Sequence, residues 1–205
     1  MKEFLNISRQ LVDLTKNDSF ANHFIESAER VSKYWMEIMQ FAINRKNFDS
    51  DAECIKHLLT IKTFEDRINE LDFEDEDVNM NNKNLLFVGP IKVYSVCAHH
   101  YAPIIGNVWC GYRPQNKIIG LSKLSRIAKL YARQPIVQEL YTDGLFDLLK
   151  HFTESDKIVV VTYMRHLCME SRGINDTNSV TLYYKHSLDD TEFQSLLSTI
   201  KFEKP

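Results

Sequence analysis

No apolar run in the 205 residues approaches the length of a membrane span. The opening segment, MKEFLNISRQLVDLTK, is polar and amphipathic and lacks the apolar core of a secretory signal. An excess of charge is missing too: 25 Lys and Arg stand against 28 Asp and Glu, a formal net charge of -3. Nothing in that balance suggests a general polyanion binder, so no nucleic-acid partner is expected and any basic site must be local. Cysteine is scarce, with only Cys54, Cys97, Cys110 and Cys168. With no membrane segment and no signal, the expected location is the cytoplasm, where such thiols serve as metal ligands or core residues rather than disulfides. Internal repeats and low-complexity tracts are also lacking.

What is present is an ordinary globular balance, 44% hydrophobic and 26% charged. The length suits one domain with a sizeable core and a helical extension. Two textures divide the chain. Residues 1–83 read as a helical region that ends in an acidic, Asn-rich connection, DFEDEDVNMNNKN. Residues 84–205 alternate strands with helices.

The clearest N-terminal helix is expected from about Phe20 to Ala42, with Asp18 or Ser19 as its cap. Phe20, Phe24, Val31, Trp35, Ile38 and Met39 recur there at helical spacing and form one apolar stripe. In the second region LLFVGPIKVYSVC and PIIGNVWCGYR read as strands broken near His99–Ala102, with KIIG as a short continuation. LSKLSRIAKLYAR reads as a helix facing Leu121, Leu124, Ile127 and Tyr131 inward. Pro135 is expected to open the next helix, which carries Val137, Leu140, Tyr141, Leu148 and Phe152. KIVVVTYMRHLCM and SVTLYYKH are rich in β-branched and aromatic residues and read as strands, and EFQSLLSTI as a closing helix. Paired strands around paired helices predict an α+β fold, an antiparallel sheet with helices packed on one face.

The chemistry-bearing residues cluster in this second region. Cys97-Ala98-His99-His100 holds a C-x-x-H spacing in a turn, and His166-Leu167-Cys168 lies far downstream. If the latter segment is a strand, His166 and Cys168 share one face. Two thiolates and an imidazole suit zinc by softness and geometry. Three protein ligands leave a fourth position for water, the catalytic arrangement. The same residues also fit a plainer reading, because C-x-x-H occurs by chance and Cys168 has apolar neighbours. Cys54 and Cys110 are core or surface residues on either reading.

Ser122, Lys123 and Arg126 stand near a helix start, where cations and a helix N-terminus suit an anion, though a solvated basic face has the same pattern. Glu139 beside Gln138 occupies the first turn of the following helix. A carboxylate there complements the helix dipole and is also a natural partner for adjacent guanine N–H donors. Arg172 lies in a turn just past Cys168.

Taken together, C-x-H-H, P-x-x-G, GLSKLxRI, Q-P-x-V-Q-E, H-x-C and RG occur in one order from about Val93 to Tyr184, with a weaker echo at Glu26–Met39. This set resembles GTP cyclohydrolase I. The resemblance implies the tunnelling fold, a homodecamer of two pentamers, GTP as substrate and active sites shared between subunits. It implies opening of the imidazole ring at C8 with formate release, then rearrangement to 7,8-dihydroneopterin triphosphate, a product that folate, pterin-cofactor and 7-deazaguanine routes all consume. Carried over by position, Cys97, His100 and Cys168 would hold zinc, and His99 and His166 would transfer protons. Ser122 and Gln138 would contact the nucleotide, and Glu139 would anchor the guanine. Lys123, Arg126 and Arg172 would bind the triphosphate, and Arg30 and Lys33 would reach a neighbour's triphosphate. For Arg30 and Lys33, pairing with Glu26 and Glu29 one helical turn away is the plainer alternative. Two departures stand out: Ala98 replaces the family's usual Glu, and residues 42–83 match poorly. The competing readings are a homologue that stops at the formamidopyrimidine or takes another guanine nucleotide, and an inactive GTP-binding subunit.

Overall fold

The computed structural model describes residues 2–15, 26–62, 84–115 and 118–205. Four helices come first: α1 (Lys2–Thr15), α2 (Ser27–Ile38), α3 (Gln40–Arg45) and α4 (Asp51–Lys62). Then follow β1 (Leu86–Cys97), β2 (Pro103–Tyr112), α5 (Leu121–Tyr131), β3 (Pro135–Ile136), α6 (Gln138–Thr153), β4 (Ile158–His166), α7 (Leu167–Glu170), β5 (Thr181–His186) and α8 (Asp190–Thr199). The strands form one sheet in the order β3-β1-β2-β4-β5. All neighbours are antiparallel except β1 and β3. The α+β class expected from the sequence is therefore observed, and the GTP cyclohydrolase I expectation of a tunnelling fold agrees with it.

The period-two alternation of the strands divides the core. Val108 and Cys110 on β2, and Ile158, Val160 and Met164 on β4, are buried with Leu124 and Ile127 of α5 and Tyr141, Leu145 and Leu149 of α6. The intervening residues Trp109, Val159 and Val161 point to the other face. There they meet Leu188, Phe193 of α8 and the tail residue Phe202, whose ring centroid lies 5.4 Å from that of Trp109 and 5.1 Å from that of Tyr163. The paired helices α5 and α6 thus occupy one face, and α8 with the tail covers part of the second. Cys54 and Cys110 are both core residues.

Several local expectations change. The expected helix from Phe20 to Ala42 breaks at Met39, the junction of α2 and α3. The Phe41 N–H leaves the helical ladder to donate to Arg133 O at 2.9 Å. Its ring sinks into the core edge-on to Tyr131, with centroids 5.1 Å apart. A long-range bond has outcompeted local helix continuation there. Phe20, Phe24, the proposed caps Asp18 and Ser19, and the acidic connection up to Lys83 lie outside the described residues.

KIIG is not a strand: residues 118–120 are irregular, and the Ile119 N–H donates to the buried Tyr112 hydroxyl at 2.8 Å. Leu121 and Leu140 face solvent rather than the core. Pro135 does not open a helix, because Pro135 and Ile136 pair with Val96 and Cys97 in parallel, and α6 begins at Gln138. Finally, β4 stops at His166, so Cys168 sits on the helical turn α7 and the shared-face argument does not hold.

Candidate metal centre and active site

Strand register gathers distant residues at one end of the sheet. Val96 pairs with Pro103, Ile104 pairs with His166, and Cys97 pairs with Ile136. The last pair sets the start of α6, with Gln138 and Glu139, beside the end of β1. The turn between β1 and β2 is closed by Cys97 N–H to Ala102 O at 2.8 Å and by Tyr101 N–H to Cys97 O at 2.9 Å. Tyr101 adopts a left-handed conformation, φ 54°, which lets the chain reverse while Ala98, His99 and His100 stand exposed.

Cys97, His100 and Cys168 bring one donor atom each within 4.8 Å of one another. Cys97 Sγ and His100 Nδ1 are 3.6 Å apart. Cys97 is buried and Cys168 half-buried against the main core. Burial raises the Cys168 thiol above its usual pKa, and the adjacent Cys97 thiol raises it further, while Arg172 opposes both. Two thiols and an imidazole this close to one another are a donor set suited to a soft metal ion. The structure therefore brings together the three expected ligands, although Cys168 arrives from a helical turn rather than a strand.

His166 lies behind this cluster. Gln138 is almost wholly buried, and its Nε2 donates to Thr162 O at 3.2 Å, Thr162 Oγ1 at 3.0 Å and Thr181 O at 3.2 Å. Two of those partners are carbonyls, which only accept, so the amide oxygen is the group that faces His166. His166 Nε2, 3.0 Å from Gln138 Oε1 and 3.0 Å from Thr181 Oγ1, must then carry the hydrogen. In the neutral ring this leaves Nδ1 as the free base. Burial lowers the His166 pKa, with the Glu139 carboxylate pulling the other way, so the neutral form is favoured.

Thr162 extends the network to Thr142 Oγ1 at 2.9 Å and to Tyr183 O at 3.0 Å. The sequence reading missed these threonines. A signal for Thr162 was available, because it is a polar residue in the inward series Ile158, Val160, Thr162, Met164.

The other expected site residues are spread more widely. Ser122 is exposed in the first turn of α5. Lys123 is buried, whereas Arg126 lines a cleft of about 240 Å³ with Leu59, Lys129, Leu130 and Arg133, so the two cations face different surroundings. Glu139 is exposed beside His166, and Arg172 is exposed near Cys168. Arg30 on α2 donates to Glu26 at 2.7 Å, as the plainer reading expected, but Glu29 pairs with Arg9 at 3.5 Å. Lys33 is exposed on the same helix.

Two thiols and an imidazole within 4.8 Å of one another, next to a histidine whose burial favours the neutral form, are a donor set suited to a metal ion and point to a class, metal-site enzymes. Comparison with known proteins narrows it. The GTP cyclohydrolase I family profile matches residues 6–194, and the chain belongs to that family of hydrolases. It is similar to the GTP cyclohydrolase 1 of Methylococcus capsulatus, 37% identical over 124 residues, covering 57% of this chain and 67% of the relative. It is also similar to the enzyme of that name from Campylobacter jejuni strain RM1221, 32% identical over 143 residues, 66% of this chain and 73% of the relative. The Saccharomyces cerevisiae GTP cyclohydrolase 1 is 39% identical over 118 residues, but the match spans 46% of that longer protein.

Proposed function

We propose that Cys97, His100 and Cys168 hold a zinc ion and that the residues around it carry out the ring opening of GTP and its conversion to 7,8-dihydroneopterin triphosphate. The observation that carries this reading is the donor triad. A tetrahedral site with zinc–sulfur near 2.3 Å and zinc–nitrogen near 2.1 Å has a sulfur–nitrogen edge of about 3.6 Å. Cys97 Sγ and His100 Nδ1 stand 3.6 Å apart. When bound, zinc supplies a water whose pKa is lowered toward neutrality.

The chain's own groups do the rest. His166, with Nε2–H fixed on Gln138 and Thr181, keeps Nδ1 as the atom that takes or returns a proton at the purine N7. His99, exposed beside His100 with ring centroids 6.2 Å apart, is free to move protons in the later ribose rearrangement. Glu139 offers a carboxylate to the guanine N1–H and amino group. By the family resemblance Ser122 would contact the nucleotide and Lys123, Arg126 and Arg172 would bind the triphosphate, although Lys123 and Arg126 face different surroundings in the single chain; Arg30 and Lys33 would be offered by a neighbouring copy in a decamer of two pentamers. Gln138, expected at the nucleotide, acts through His166 in this reading.

In the same reading residues 1–83 form a helical region ahead of a catalytic unit, 84–205, which contains all the described strands and metal donors. No helix among the described residues is long and apolar enough to cross a membrane. Reduced thiols suit a cytoplasmic enzyme. The test is to incubate the purified protein with GTP and measure formate together with the fluorescence of the oxidised pterin. Equal yields of both are expected. Formate without pterin would mean arrest at a formamidopyrimidine, and GTP binding without formate would mean a subunit that only binds.

A further inference from the structure

The turn that delivers Cys168 has little to hold it by itself. The α7 turn is four residues long, and one helical turn fixes several dihedral angles for a single hydrogen bond. Ser171 N–H and Oγ donate to Leu167 O at 2.9 and 2.7 Å, but these bonds lie within the turn. Asp176 N–H donates to Met169 O at 3.0 Å and ties it to the loop that follows. The tie back to β4 is ionic. Arg165 Nε donates to Glu170 Oε1 at 2.8 Å and its terminal nitrogen to Glu170 Oε2 at 2.6 Å, a two-pronged pair. The side chains keep only 27% and 10% of their exposure, so solvent screens the pair less than it would one on the open surface. The second terminal nitrogen of Arg165 donates to Pro205 O at 3.0 Å, which fixes the guanidinium from behind.

The placement of the pair gives it leverage. Arg165 sits on a strand held in register with Ile105 of β2, so it is the fixed member. Glu170 rides on the turn. At 3.6 residues per turn, positions 168 and 170 point about 200° apart. Holding Glu170 against Arg165 therefore aims the Cys168 thiol the opposite way, toward Cys97 and His100. Arg165 also belongs to the odd-numbered face of β4, whereas His166 turns to Gln138 on the other.

We propose that Arg165 and Glu170 are positioning residues for the metal site, their ion pair setting the turn that presents Cys168 to Cys97 and His100. This rests on the zinc reading above. Glu170→Gln loses the carboxylate, and Arg165→Lys keeps the charge but loses the fork. Each should weaken zinc binding by about 10–100-fold, the usual scale for groups that orient a ligand, while the metal-free protein keeps its far-UV spectrum. The measurement is a competition titration of zinc against a chromogenic chelator, supported by the absorption spectrum of the cobalt(II) form, which should lose intensity as the site loosens. Should Glu170→Gln fail to fold, Arg165→Lys carries the same test. Zinc affinities of folded variants within twofold of the parent protein would overturn the proposal. A parent protein that binds no zinc, or a Cys168→Ser variant that binds it equally well, would instead sink the metal reading on which it depends.

Discussion

Replacing Gln138 with leucine separates two roles for this side chain, contact with the nucleotide and control of His166. The side chain is 3% exposed and its amide is committed on both sides. Leucine keeps the apolar bulk and removes every polar contact. Thr162 Oγ1 retains Tyr183 O and Thr142, and His166 Nε2 retains Thr181 Oγ1, so few groups are left wholly without partners. One or two weakened buried groups at about 1–3 kcal/mol each suggest a loss of about 2 kcal/mol. For a chain of this size that lowers the melting temperature by roughly 4–8 °C. With Gln138 gone the imidazole is free to rotate and to change tautomer, so kcat should fall by about 10–100-fold, the scale of a disturbed proton-transfer group. KM for GTP should stay within about threefold, because no amide atom is free to reach a ligand. Steady-state formate release against GTP concentration, paired with thermal melting, gives both numbers. A variant with normal kcat and a KM raised tenfold or more would place Gln138 at the nucleotide and refute the reasoning.

Three further outcomes are expected. Cys168→Ser should lose both bound zinc, read by elemental analysis, and formate release, whereas full activity in a demonstrably metal-free sample would exclude the metal. Gly144→Ala would set a Cβ 2.0 Å from Tyr131 Oη, a ring wedged between Phe41 and Tyr141. Overpacking there should outweigh the helical gain and cost about 1–3 kcal/mol, seen as a lowered melting temperature, and a raised one would contradict the packing described. Cys168→Ser mixed and refolded with an Arg30→Ala, Lys33→Ala double variant should regain roughly a quarter of parent activity if sites are shared around a ring, and no gain would mean that they are not.

The strands and the helices α5 and α6 were legible because alternation and helical periodicity are local signals, as in IVVVTYM and LSKLSRIAKLY. The Cys97–His100 spacing was legible for the same reason. Features that depend on a distant partner were not. Met39 breaks a continuous apolar stripe because Phe41 N–H prefers Arg133 O, which lies far along the chain. Pro135 reads as a helix opener until β1 supplies a strand for it to pair with. Cys168 follows a β-branched run and looks extended, but the chain turns helical after His166, where Arg165 and Glu170 pair. The family resemblance assigns Gln138 to the nucleotide, and its burial against Thr162, Thr181 and His166 is not visible in the sequence.

The two-residue strand β3 bears on how the chain would acquire the proposed zinc ion. Cys97 and Cys168 stand about 70 residues apart in the chain, and closing so long a loop costs entropy before any contact repays it. In the finished sheet the donors are brought together by the pairing of β1 with β2 and of β2 with β4, while Ile136 pairs with Cys97. On the zinc reading proposed above, capture would follow assembly of the sheet, and an ion bound by the finished sheet but not by the open chain would act as a thermodynamic latch. At a free concentration one hundred times its dissociation constant it would add about 2.7 kcal/mol to the folded state. Cells that limit the metal would then limit the lifetime of the protein as well as its turnover.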